Sequence, residues 1–165
     1  MKVKELANGG LVLEGDVLDG AEEAFRDLRY VEAFTLLHAY IDWWMTDLIQ
    51  LHRCVRDSLK THELHFKHEY RFKSSAKILL DKKIIDKKQY GRLLQFNTLR
   101  DKIIHRLVMY SYQPYARNKA TRTEVIDGFE EGKALAHLLR GKTCSVERYK
   151  RDSNPQVIDE KKIGQ

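Results

Sequence analysis

The sequence predicts an all-α fold, an up-and-down four-helix bundle with one long N-terminal helix, on three observations. Apolar residues recur at alternating steps of three and four through a stretch, Ala21 to about Lys60, that holds neither Pro nor Gly. Two later stretches carry helical signals, one with a seam ahead of Pro114 and one between a capping pattern and Gly141. The chain has only two prolines and no internal repeat, and its 165 residues suit a single domain able to bury a core.

Residues 1–20, "MKVKELANGGLVLEGDVLDG", read as an arm that lays a strand or turn against the body. In the long helix Phe34, Leu37, Ile41, Trp44, Leu48, Leu51 and Val55 form a continuous seam, which Trp43, Met45 and Ile49 widen. The segment "SSAKILLDKK" reads as a short helix capped by Ser74 or Ser75. A third helix starts near Asp86, with Leu93, Phe96, Leu99, Ile103 and Leu107 on one stripe, and gives way to the connection at Pro114. The fourth opens on a capping box of Thr121 and Glu124 and ends at Gly141. The expected layout is therefore an arm (1–20), a bundle (21–141) and a loose polar tail (142–165).

No apolar run approaches the roughly 20 residues needed to cross a bilayer, and "MKVKELANGG" lacks the apolar block of a signal peptide. A cytoplasmic protein is expected. Cys54 and Cys144 form no ligand-type pair, so neither a disulfide framework nor a zinc site is indicated. The net charge of +6 is unevenly spread. Residues 1–50 hold 4 Lys/Arg against 10 Asp/Glu, whereas residues 51–110 hold 15 against 6. So basic a middle segment suits a polyanion such as nucleic acid, or equally a solvated Lys-rich helix face.

His62, His65 and His68 in "HELHFKH" have helical spacing, but no carboxylate or cysteine completes a recognised metal set, and they read as surface histidines. No cofactor is implied. The chain has no glycine-rich phosphate loop, GxSxG or HExxH, which removes most common enzyme classes. Tyr110, Tyr112 and Tyr115 lie near Arg106, Arg117 and Lys119; they could stack bases or simply pack on a bundle flank.

The remaining pair is Arg100 and His105 in "LRDKIIHRLVMY". Arginine supplies a permanent fork-shaped charge suited to phosphate, and histidine exchanges a proton near neutral pH. Such a spacing alone is weak, since Arg56 and His62 nearly repeat it; the alternative is a surface Arg paired with a nearby acid beside an exposed His. The context distinguishes Arg100: the polar Asp101 follows it, late in the penultimate helix of the expected bundle.

In this arrangement residues 21–141 resemble the HEPN superfamily (higher eukaryotes and prokaryotes nucleotide-binding domain). "RDKIIH" matches the family's motif, and "YVEAFTLLHAYIDWWMTDLIQLH" is similar to its long first helix. The resemblance implies a metal-independent RNA endonuclease, often a toxin or defence component, whose two motifs meet in a homodimer cleft. His105 would be the general acid/base at the ribose 2′-hydroxyl or the leaving 5′-oxygen, Arg100 would hold the scissile phosphate, and Asp101 would orient either residue. Lys102, Arg106, Tyr110, Arg117 and Lys119 would contact RNA. A family branch paired with nucleotidyltransferase antitoxins carries Tyr two residues after the His; this chain has Leu107 there, which separates it from regulation at that tyrosine. Residues five apart on an ideal helix diverge by about 140° and about 7.5 Å. One straight helix therefore does not aim both side chains at one atom: either the helix distorts near His105 or a second copy completes the site, and a histidine pointing away from its own core favours the second copy. A non-catalytic RNA- or nucleotide-binding module and a helical interaction subunit are the competing expectations.

Overall fold

The structure, a computed structural model, describes residues 2–5, 11–57, 71–112 and 121–153. Strands β1 (Lys2–Glu5) and β2 (Leu11–Glu14) pair antiparallel, with Lys2 opposite Glu14 and Glu5 opposite Leu11. Five helices follow: α1 (Val17–Arg26), α2 (Tyr30–Asp57), α3 (Phe72–Asp81), α4 (Lys87–Tyr112) and α5 (Arg122–Ser153). The body is thus all-helical behind a short hairpin. α2 is its central member, packing on α1, α3, α4 and α5.

The expected arm is a hairpin plus the first turn of α1, which Asp16 caps by accepting from the Leu18 amide at 2.9 Å. The single helix expected from Ala21 onward is broken into α1 and α2. Leu28 donates its amide to Phe25 O at 3.1 Å and Arg29 donates to Ala24 O at 2.8 Å, the two bonds of a Schellman turn. Leu28 sits in the left-handed region, φ 62°, where glycine is usual. The break therefore left no Gly or Pro in the sequence. Phe25 then folds back to stack on Phe129 of α5, centroids 4.1 Å apart.

On α2, Phe34, Leu37, Ile41, Met45, Leu48 and Ile49 are wholly buried; each such side chain stabilises the fold by roughly 1.5–3 kcal/mol. Trp43 departs from the expected stripe and is 47% exposed, and the side chain of Val55 is outside the described set. α3 starts upstream of the expected serine caps: Arg71 is the N-cap without a side-chain bond, and Ser75 is buried inside the helix. Phe72 explains the shift, since burying an aromatic ring outweighs the ~1 kcal/mol of a serine cap. α3 ends in a second Schellman turn, with Lys83 at φ 57° and Ile84 N donating to Leu79 O at 2.9 Å.

α4 begins as the sequence indicated. Asp86 Oδ1 accepts from the Gln89 amide at 2.7 Å and Gln89 Oε1 from the Asp86 amide at 3.2 Å. Leu93, Phe96 and Ile103 are buried, with Leu99 and Leu107 packed at the margin. The Thr121–Glu124 capping box is reciprocal: Glu124 N donates to Thr121 Oγ1 at 3.1 Å and Thr121 N to Glu124 Oε2 at 3.0 Å. Gly141 does not stop α5, which runs on to Ser153 with Thr143 buried. The expected polar tail is therefore helical over its first half. Gly141 lacks the positive φ of a terminating glycine, and the packing of Leu135, Ala136, Leu139 and Thr143 carries the helix past it.

Gly128 and Gly132 are one turn apart on α5 and mark its closest approach to the rest of the core. A Cβ at 128 would lie 2.8 Å from Leu99 Cδ2, and one at 132 would lie 2.5 Å from both Leu37 Cδ2 and Phe96 Cε2.

Candidate functional site

The stripe of Phe96 and Ile103 turns one face of α4 into the core and leaves Arg100 at its edge. Arg100 Nη1 donates to Asp101 Oδ1 at 2.8 Å, with the arginine side chain 26% exposed. Its Nε is buried without a partner among the described residues. Asp101 thus holds the guanidinium by one corner.

The network continues inward to residues that the sequence reading did not single out. Asn97, one turn before Asp101, reaches Asp101 Oδ2 with Nδ2 at 3.5 Å and meets His38 Nε2 through Oδ1 at 3.0 Å. His38 stacks on Phe72, centroids 4.5 Å apart and planes 21° from parallel. Burial is the main force lowering the His38 pKa, and the Arg100 charge pushes the same way; the Asn97 bond, Asp42 and Asp101 oppose them. A neutral histidine therefore lies beside Arg100 on the inner side. Its signal in the sequence was a lone polar residue between Leu37 and Ile41 on the α2 seam.

His105 is exposed, and no hydrogen bond joins it to Arg100. Within one chain the two motif residues are not brought together, in keeping with the angular argument from sequence. Next to them Lys102 Nζ lies 2.9 Å from Glu124 Oε1 and Arg106 Nη1 3.0 Å from Glu124 Oε2. The Thr121 amide first, then Lys102 and Arg106, hold the Glu124 carboxyl down to about 2. Two of the expected RNA-contacting cations thus answer an acid on α5. The Tyr110 side chain, Arg117 and Lys119 are outside the described residues, as are His62, His65 and His68.

Leu107, two residues past His105, lines an open groove of ≈ 590 Å³ with Leu28, Tyr30, Val31, Thr35 and Leu36. Leu28 is 70% and Val31 40% exposed on its rim. Among the described residues no group of three His, Cys, Asp or Glu could hold a metal ion, and no described helix is long and apolar enough to cross a membrane.

No protein-family model, curated protein or solved structure matches this chain.

Proposed function

We propose that the chain is a HEPN-like helical protein and a metal-independent RNA endonuclease, a cytoplasmic toxin or defence component active as a homodimer. The observation that carries this reading is the division of labour on α4. Arg100 is held by Asp101 through Nη1 and keeps its buried Nε without a partner among the described residues, while His105 on the same helix is exposed. In the dimer each His105 faces the other copy's motif. One imidazole takes the proton of a ribose 2′-hydroxyl, whose oxygen attacks the phosphorus; the P–O5′ bond breaks and an imidazolium returns a proton to the 5′-oxygen. Arg100 stabilises charge on the phosphoryl oxygens, and the products carry 2′,3′-cyclic phosphate and 5′-hydroxyl ends. The apolar rim of Leu28 and Val31, near Leu107, supplies surface for pairing. A nucleotidyltransferase-type antitoxin is one candidate partner for such a toxin, and Leu107 in place of tyrosine leaves that partner's identity open.

The test is incubation of wild type and His105→Ala with mixed RNA in EDTA. Cleavage by wild type alone, with cyclic phosphate ends, supports the reading; equal cleavage by both proteins sinks it. One observation favours a second reading, a non-catalytic RNA- or nucleotide-binding module or helical interaction subunit: within a chain Arg100 is linked through Asp101 and Asn97 to His38. Salt-sensitive RNA binding without cleavage, unchanged by His105→Ala, would select the binding module.

A further inference from the structure

A second cleft, of ≈ 660 Å³, opens between α2, the α3–α4 turn and α5, lined by His52, Lys83, Ile84, His137, Leu138, Gly141, Lys142 and Ser145. His52 is fourteen residues beyond His38 on α2, about 21 Å along the helix, so this cleft is remote from Arg100. Among the described residues no carboxylate lines it. Elsewhere on the helices Arg29, Lys77, Arg92, Lys102, Arg106, Lys133 and Arg140 each meet an acidic side chain. Here Lys83 and Lys142 meet none among the described residues.

The cations are also positioned. Lys142 Nζ donates to Ile84 O at 3.0 Å, which anchors the ammonium at the cleft wall and uses one of its three protons. Lys83 occupies the left-handed corner of the turn, a conformation that disfavours a side chain by about 1–2 kcal/mol. Half-buried His52 is held below the usual histidine range by burial, then by Lys142 and Lys82. Lys83 and His137 also line its surroundings. Positive potential thus converges on a cavity that offers an apolar wall of Ile84 and Leu138.

We propose that this cleft binds a phosphate-bearing small molecule, its phosphate oxygens taken by Lys83, Lys142 and the two imidazoles and its body laid against Ile84 and Leu138. Both the volume and the mixed lining suit a compact organic phosphate rather than a polymer strand. Gly141 leaves the wall open, with no atom within 4 Å of where its Cβ would stand.

The test is calorimetric titration of the full chain with inorganic pyrophosphate at low ionic strength, with the His52 ring followed by NMR. Wild type should bind saturably, and binding should raise the His52 pKa. Lys83→Gly, which suits the backbone at that corner, should weaken binding about tenfold. Gly141→Leu, whose Cβ meets no atom within 4 Å and whose further carbons add bulk to the wall, should abolish it, and Arg100→Ala should leave it intact. Absence of saturable binding, or equal binding by Gly141→Leu, overturns the proposal. So does binding of a 5′-hydroxyl oligoribonucleotide that is lost in Gly141→Leu while pyrophosphate does not bind; that outcome assigns the cleft to RNA.

Discussion

His38 of α2 and Asn97 of α4 meet with Nε2 and Oδ1 3.0 Å apart. An amide oxygen only accepts, so Nε2 carries the proton in that pair. Asn97 Nδ2 in turn faces Asp101 Oδ2, and Arg100 donates to the other oxygen of the same carboxylate. The donors thus converge on the Asp101 carboxylate, from half-buried His38 through Asn97 on one side and from the Arg100 guanidinium on the other.

This chain makes stability depend on pH. Burial above all keeps His38 below its ordinary 6.5, so on acidification the unfolded chain takes up the proton first. The stabilisation is complete above about pH 6.5 and is lost as pH falls through the lowered folded value. Urea midpoints measured from about pH 8 to 5 should fall, and His38→Gln should flatten the fall. His52, lowered in the same direction, retains part of the slope. An unchanged slope in His38→Gln would refute the assignment.

Glu124 titrates in a different window. Its carboxyl, lowered from 4.5 to about 2, contributes stability that is present above pH 4.5 and lost as pH falls towards 2. Thr121→Ala should destabilise the protein by about 1 kcal/mol through loss of the cap. Glu124→Gln should remove most of the acid sensitivity in that window, read as thermal midpoint against pH.

The glycines of α5 should respond in opposite directions to one substitution. Alanine is favoured over glycine in a helix by about 1 kcal/mol, so Gly141→Ala, which meets no atom, should raise stability. Gly132→Ala should lower it by about 1–3 kcal/mol, because its Cβ meets Leu37 and Phe96 at 2.5 Å. Chemical denaturation of the two variants decides the matter; a rise in both would mean that the core gives way easily.

Leu28 should be better as glycine. The left-handed φ of 62° and an exposed side chain make Leu28→Gly stabilising by about 0.5–1 kcal/mol. The melting temperature checks this. If the rim of the groove is a dimer contact, the same substitution should weaken self-association, which sedimentation would read.

For the proposed RNA cleavage, Arg100→Lys should not substitute for arginine, because an ammonium lacks the planar fork that lets one nitrogen meet Asp101 while another meets a phosphate. A loss of about 10²–10³ in kcat is expected, with the fold intact by circular dichroism.

Much of this architecture was legible in the residues. The α2 seam, the Asp86 start and the Thr121–Glu124 box all rest on local chemistry that repeats or pairs within four positions. The break at Leu28 was not, because a leucine stands where the turn asks for glycine. Gly141 misled for the converse reason: its composition suggests a stop, while packing on either side continues the helix. At the site, Arg100 and Asp101 were legible as neighbours in sequence. His38 was not, since its partnership with Asn97 spans 59 residues and only the α2–α4 packing creates it.

The absence of a side chain at Gly128 reaches further than α5 itself. Leu99 and Ile103, whose methyl groups crowd that position at 2.8 and 3.3 Å, bracket Arg100 along α4. A bulkier residue at 128 pushes on the side chains of Leu99 and Ile103, the neighbours of Arg100 along the same helix. A random-mutagenesis screen for loss of the proposed RNA cleavage should therefore return position 128 alongside 100 and 105.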